Sequence, residues 1–409
     1  MKILMLTPYL PYPLLSGGQI RTYNLLKKLA RKHDITLFAL IKNETEKQYI
    51  AELEKYCAKV KVFKRSEKPF TPRNIFKAIF STLPFLVARN HVPETISAIR
   101  AELSAKRYDL IHAETFYMMP HLPKNNIPTI LAEQTIEYLG YESYAKKAHP
   151  LLRSFLTIDV QKIKKWERHY WRLSDKLIVM SAEDKKFIGR QINQDSKIKV
   201  VANGVDSAWF DEMERKLPTR PTVLSVGTFN WLPNVEAVDF LVQKIWPQLL
   251  KLVPNARLVI VGNAPTKKVL RYGQHNTSIT VLGKIADIRT AFKQSHVLVA
   301  PVFSGKGTRY KILEAMASGT PVVASKIAVE GLGVKLGTHL LASSTAKTMA
   351  QDIAKLLNNR QLWQKLSVNG QRFVQQNFDW QSISQKLDMI YQTLGKKGTA
   401  YGKEKTSRS

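Results

Sequence analysis

Along the chain, short unbroken apolar runs alternate with longer stretches in which apolar residues return every three or four positions. The short runs are Lys2–Leu6, Asp34–Leu40, Val60–Phe63, Leu110–His112, Thr129–Ala132, Lys176–Met180 and Lys199–Val201, followed by Val223–Val226, Arg257–Val261, Ile279–Leu282, Val297–Ala300 and Pro321–Ala324. Most lack polar alternation, the pattern of strands buried on both faces. With helical stretches between them, they predict an α/β fold of doubly wound parallel sheets whose crossovers are right-handed.

The pattern also echoes itself. Residues 2–32 read strand, Pro/Gly loop, helix (KILMLTP, then SGG, then QIRTYNLLKKLARK), and residues 222–251 read the same way (TVLSVGTFN, WLPN, VEAVDFLVQKIWPQLLK). Each looks like the first βα unit of its own Rossmann-like half. Asn203-Gly204-Val205-Asp206, by itself a turn signal, precedes the polar stretch DEMERKLPTRPT. The expected domains are therefore residues 1–205 and 206–379, facing each other across a cleft. Ligands would sit outside the carboxyl ends of the strands.

Composition sharpens this picture. With 409 residues and 44% hydrophobic content, the chain can fill ordinary cores and is not a disordered protein. Lys plus Arg number 63 against 32 Asp plus Glu, a net charge of +31 shared almost equally by the two halves. That excess implies an anionic partner: nucleic acid, anionic lipid or phosphorylated substrate. The single cysteine, Cys57, permits no internal disulfide and no cysteine-based metal site. The N-terminal apolar run is only Ile3–Leu6, and Pro8, Pro11 and Pro13 follow it, so it reads as a buried strand rather than a signal peptide. No segment approaches the roughly 18 apolar residues of a membrane span. The last residues, 395–409, read as a basic disordered tail.

The strongest chemical motif is Gly305-Lys306-Gly307-Thr308-Arg309-Tyr310-Lys311, running into Ile312-Leu313-Glu314-Ala315-Met316-Ala317. Glycines at the end of a strand let backbone N–H groups approach an anion, and the helix that follows points its positive end at the same place. Lys306, Arg309 and Lys311 add full charges, and an Arg can grip phosphate with two donors. Glu314, one turn into the helix, can accept hydrogen bonds from vicinal hydroxyls. A diphosphate joined to a ribose satisfies the whole set. The same spacing also suits a plain strand-to-helix turn with solvated cations.

Ser16-Gly17-Gly18-Gln19-Ile20-Arg21 repeats the theme after the first strand, with Arg21 placed to reach toward the cleft; a tight turn is the simpler alternative. Gly227-Thr228-Phe229-Asn230-Trp231 is placed to line the cleft floor, with Trp231 read as packing, buried, on the following helix. Acid/base candidates are His112 and Glu114 at one strand end, and Glu133, Gln134 and Glu137 after the next; a lone strand-ending His is commonly a structural group. D-x-D, H-E-x-x-H, a full P-loop and G-x-S-x-G are all missing, so a metal-centred nucleotide-sugar site is not expected. Residues 68–90 mix Lys68, Arg73, Lys77 and Arg89 with four phenylalanines, and 146–172 mix basic residues with Trp166 and Trp171. Such mixtures suit either an anionic membrane interface or ordinary solvated helices.

Taken in order, SGG-x-x-R, N-G-V-D, G-x-G-T-R-x-K-x-x-E-A-M-A-x-G-x-P-V-V, Glu330-Gly331 and Phe378-Asp379-Trp380 resemble GT-B glycosyltransferases of the GT4, group 1 type, over nearly the whole chain. The subgroup it is similar to makes bacterial surface polysaccharide and lipid-linked glycans. The resemblance implies a nucleotide-sugar donor, UDP- or GDP-linked, held by the C-terminal domain. It implies a glycan or lipid-linked acceptor on the N-terminal domain, and retaining transfer with no metal or other cofactor. It further implies a final helix, about 380–394, that crosses back to the first domain.

Carried over by position, Glu314 would bind the ribose and Gly307, Thr308 and Arg309 would lie along the diphosphate. Gly17 and Gly18 would approach the phosphate and sugar. Gly227 and Thr228 would line the donor site, and Gly283 and Lys284 would frame the base. Arg21 and Gln134 would face the acceptor. The sequence departs from the family where a Glu is frequent and Lys306 stands, and where an Arg and a Lys often follow the strand ending at Gly227. It departs again where Gln134 replaces a common His. Lys306 or Arg309 is then expected to neutralise the diphosphate, and His112 to stand in as the catalytic base. The expected location is cytoplasmic, peripheral on the inner face of the membrane. Within the same fold, a sugar-nucleotide epimerase or a phosphorylase are alternatives. The alternative of another class, a nucleic-acid-binding protein, rests on charge alone, with no RRM-like or zinc module to support it, and no nucleic-acid partner is expected.

Overall fold

A computed structural model describes residues 1–229, 231–303 and 309–406, with the side chains of Lys147, Leu151 and 396–406 left aside. The chain divides into two units: Met1–Ala202 with Ile383–Ser409, and Asn203–Ser382.

The first unit contains β1 (Lys2–Thr7), β2 (Asp34–Ile41), β3 (Lys59–Lys64), β4 (Leu110–Glu114), β5 (Thr129–Glu133), β6 (Lys176–Val179) and β7 (Ile198–Val200). They form one parallel sheet in the order β3-β2-β1-β4-β5-β6-β7. β1 and β2 are buried almost from end to end, as their unbroken apolar runs require. At the edge, β3 alternates exposed Lys59 and Lys61 with Val60 and Val62, and edge lysines discourage pairing with another chain.

Helices used below are α1 (Gly17–Leu29), α2 (Pro72–Phe80), α3 (Phe85–Asn90), α4 (Glu137–Lys147) and α5 (Pro150–Leu173). The core beneath them gathers Leu4, Phe38, Ile111, Leu131, Ile163 and Trp171. Each such fully buried side chain is worth about 1.5–3 kcal/mol of transfer free energy.

The second unit contains β8 (Thr222–Val226), β9 (Arg257–Val261), β10 (Ile279–Leu282), β11 (Val297–Ala300), β12 (Val322–Ser325) and β13 (Leu341–Ser343). Its parallel order, β10-β9-β8-β11-β12-β13, repeats the 3-2-1-4-5-6 order of the first six strands of the other sheet. In both sheets the chain turns back across the sheet after its third strand, so the switch point lies between β1 and β4 and between β8 and β11. Two further helices matter here, α6 (Leu232–Phe240) and α7 (Tyr310–Ala317).

The last helix, α8 (Trp380–Thr406), begins at the end of the second unit, and from Ile383 it belongs to the first. Its buried Ile383, Leu387 and Tyr391 form an apolar stripe at helical spacing. Residues 395–406, expected as a disordered tail, continue this helix: the segment contains no proline, and only its glycines interrupt otherwise helix-compatible residues.

Candidate functional site

In the second unit, the loops after β8 and β9 stay zipped beyond the sheet. Gly227 N–H donates to Val261 O at 3.1 Å and Phe229 N–H to Asn263 O at 2.9 Å. Gly262 sits at φ +157, and a Cβ there would lie 1.6 Å from Gly227 O, so only glycine fits. Asn234, on α6, ties this loop to α7. Its Nδ2 donates to Thr228 O at 2.9 Å, and its Oδ1 accepts from Lys311 Nζ at 2.9 Å.

α7 follows Arg309, whose side chain makes no capping bond to the first turn. Burial pushes the Lys311 ammonium down to about 8, the Arg309 charge adds to the shift, and Glu314 opposes it. Burial pushes the Glu314 carboxyl up to about 7 against the pull of Lys311. Burial also lowers Arg309. Three ionisable groups on two adjacent turns are thus held in a setting that penalises their charges. Of the expected donor residues, Gly227, Thr228, Arg309 and Glu314 are placed here, and Lys306, Gly307 and Thr308 lie outside the described residues.

Gly283 follows β10, and a Cβ built on it would meet nothing within 4 Å. Trp231 is 58% exposed, not packed beneath the loop as expected. Phe229 is buried there instead, 1% exposed, and occupies that space.

In the first unit, the carboxyl ends of β1, β4 and β5 meet the start of α1. Gln134 Nε2 donates to Tyr9 Oη at 2.6 Å and to Glu114 Oε2 at 2.7 Å. Tyr9 Oη also meets Thr22 Oγ1 at 3.1 Å. Across the carboxylate, His112 Nε2 stands 3.4 Å from Glu114 Oε1, and His112 Nδ1 is hydrogen-bonded to Tyr391 Oη of α8. Burial alone would raise the Glu114 carboxyl, but His112, Arg21 and Gln134 together hold it below the ordinary value. Burial, then the Glu114 charge, drives Tyr9 and Tyr391 well above the usual phenol range. Gly18 is required here by space: a Cβ would fall 2.7 Å from both Gln134 Oε1 and Tyr9 Oη.

Two of the expected site residues are fully buried. His112 is completely buried, with Tyr391 on one ring nitrogen and Glu114 beside the other. The ring is thus held between a phenol and a carboxylate, which fixes its orientation. Arg21 is also completely buried and donates from Nη1 to Ala202 O at 2.8 Å, so it ties α1 to the segment after β7 instead of facing an acceptor. Gln134 is half-buried beside Gly18. Sequence patterns did not single out Tyr9, Thr22, Tyr391 or Asn234. Their partners lie far away in the chain, and no local spacing announces them.

Beyond Glu114 the strand ends on Thr115, a β-branched residue at φ 71. That strained backbone sits where β4 leaves the sheet, the kind of position at which strain accumulates near function.

Two family models match the chain: "Glycosyltransferase Family 4" over residues 15–209 and "Glycosyl transferases group 1" over residues 220–359. The chain belongs to the group 1, family 4 glycosyltransferases. It is an enzyme with the GT-B fold. A Klebsiella pneumoniae protein described as an uncharacterized 44.6 kDa protein in the cps region is 22% identical over 394 residues, covering 93% of this chain and 97% of its own. Among solved structures, sucrose-phosphate synthase from Thermosynechococcus elongatus superposes with TM-score 0.69 at 18% identity, over 96% of this chain and 99% of that one. HepE from Anabaena, solved with UDP-glucose, gives TM-score 0.63 at 16% identity over 96% and 100%.

Proposed function

We propose that this glycosyltransferase moves a sugar from a nucleotide diphosphate to a glycan or lipid-linked acceptor in cell-surface polysaccharide synthesis, with the anomeric configuration retained and without a metal. The observation that carries the reading is the set Arg309, Lys311 and Glu314 at the start of α7, with the Asn234 tie to the Gly227 loop. As the sugar–phosphate bond breaks, negative charge grows on the leaving diphosphate. Arg309, Lys311 and the start of α7 are fixed cations and dipoles that stabilise it where it develops. Chain-borne cations thereby do what a divalent ion would otherwise do. Glu314 accepts from the ribose hydroxyls.

A uridine donor is supported by HepE, which was solved with UDP-glucose at 16% identity. A role at the cell surface is supported by the cps-region relative. The acceptor sits on the first unit, against the Tyr9–Gln134–Glu114 network. A thermal-shift panel of UDP, GDP, ADP and dTDP and their sugars tests this. One nucleotide family should raise the melting temperature; a panel in which none does so would refute the donor assignment.

The enzyme works at the cytoplasmic face of an anionic membrane, held there by the first unit. α2 is amphipathic and exposes Phe76 (63%) and Phe80 (72%), with Phe70 (73%) just before it and Arg73 and Lys77 among them. Phe155 and Ile158 of α5 are exposed as well. Lys162 of α5 donates to the Ala78 and Ser81 carbonyls, which packs the two helices together at the C-terminal end of α2. Apolar side chains beside cations suit the interface of an anionic leaflet. Trp171, by contrast, is completely buried and belongs to the core. Among the described residues, no helix is long and apolar enough to cross a membrane. Sedimentation with phosphatidylglycerol vesicles should be lost in the Phe76→Ser/Phe80→Ser variant. Unchanged sedimentation would place the contact elsewhere.

A further inference from the structure

Arg65 follows β3 directly, and Arg89 lies in the last turn of α3. Both guanidinium groups are partly buried, and the Nε atom of each is sealed from water with no hydrogen-bond partner. They lie near enough for the Arg89 charge to act on Arg65, so two like charges share a low-dielectric corner. No carboxylate among the described residues forms an ion pair with either one. The acidic groups that act on them, Glu46 on Arg65 and Glu137 on Arg89, also hold other donors. Glu46 accepts from the Lys42 and Asn43 amides at 2.7 and 3.2 Å, and Glu137 accepts from Thr135 Oγ1 at 3.2 Å. Tyr117 faces both arginines, and the strained Thr115 stands beside it.

A half-desolvated guanidinium with no carboxylate in ion-pair contact is costly, and a neighbouring pair costs more. An anion with several oxygens would offset that cost, since each Arg presents a fork of donors to it. The corner lies at the carboxyl side of the sheet, beyond β3 and β4, where parallel sheets receive ligands. We propose that Arg65 and Arg89 form an anion subsite for the acceptor, so that the acceptor carries a phosphate or diphosphate group. This inference rests on the placing of the acceptor on the first unit. A sugar-acid carboxylate presents the same chemistry from another source.

Calorimetric titration of the full-length protein with geranyl diphosphate and with glucuronate separates the two sources, and UDP is titrated in parallel. The R65Q/R89Q variant should lose about tenfold in geranyl diphosphate affinity for each guanidinium removed, while UDP affinity stays within about twofold. Loss confined to glucuronate would overturn the phosphate assignment. Equal losses for geranyl diphosphate and UDP, or no loss at all, would overturn the subsite. If UDP fails to bind the wild type while the Arg-dependent binding persists, the donor reading fails and the subsite stands. Because the variant can fail for lack of folding, wild-type protein is also modified with phenylglyoxal. Geranyl diphosphate should protect Arg65 and Arg89 by about tenfold in rate, read by peptide mass spectrometry, and undiminished modification counts against the subsite.

Discussion

The two units share one strand order yet build opposite chemistry at the carboxyl ends of their strands. Beyond β1, β4 and β5 the groups are an anion and neutral hydroxyl and amide groups: Glu114, Gln134, Tyr9 and Thr22, joined by short hydrogen bonds. At α7 the groups are cations with one carboxyl: Arg309, Lys311 and Glu314, whose charges burial disfavours. The first network is tied by its own hydrogen bonds, with only His112 Nε2 and Glu114 Oε1 among its members sealed without one. A set of desolvated charges is completed by a ligand of opposite sign. On the donor reading proposed above, the same scaffold then offers a hydrogen-bonded polar network in one unit and a diphosphate receptor in the other.

The largest effect should come from removing the cation at the start of α7. Arg309→Ala should lower turnover by about a thousandfold with the melting temperature nearly unchanged, as measured by steady-state assay and calorimetry. Comparable turnover in the folded variant would erase the contrast between the two units.

Next is pH. Nucleotide affinity should be greatest between about 7 and about 8. Below about 7 Glu314 gains a proton and stops accepting from hydroxyls, and above about 8 Lys311 loses its charge. The free protein should behave in the opposite sense. Glu314 holds its proton to higher pH when folded than its ordinary 4.5, so its contribution to stability falls as pH rises from 4.5 to about 7. Lys311 gives up its proton at about 8 instead of 10.5, so its contribution rises with pH across that window. Melting curves against pH, with and without nucleotide, read both signs.

Glycines sharpen the comparison at a smaller scale. Gly18→Ala forces a methyl group onto Gln134 and Tyr9 and should cost about 1–3 kcal/mol, with a fall in acceptor turnover. Gly283→Ala adds a methyl group to open space and should leave stability within about 0.5 kcal/mol. Denaturant titrations distinguish these outcomes.

A modest effect on turnover should come from Tyr391→Phe. It removes the hydrogen bond to His112 Nδ1 and should cost about 1–3 kcal/mol of stability, with turnover reduced about threefold. A turnover loss as large as that of Arg309→Ala would make the His112–Glu114 arrangement catalytic in its own right.

Nearly every strand was legible in the sequence, because buried parallel strands leave dense apolar runs. β13 was not: Leu341, Ala342 and Ser343 are three residues without a β-branched side chain, and only their register beside β12 makes them a strand. The α7 motif was legible because its glycines, cations and Glu314 are neighbours in the chain. The Tyr9–Gln134–Glu114–His112–Tyr391 network was not. Its five members come from four separate stretches, His112 and Glu114 sharing β4, and proximity that only tertiary folding creates leaves no spacing to read. His112 illustrates the limit. Its residue type pointed to acid/base chemistry, and no sequence pattern announced its complete burial between Tyr391 and Glu114.

Hydrogen–deuterium exchange of the full-length protein with and without UDP tests the account most directly. Protection should concentrate at the start of α7, from Tyr310 onward, and on the loop before α6, with β1 to β3 unchanged. Protection confined to the first unit, or none at saturating nucleotide, would contradict a donor site on α7.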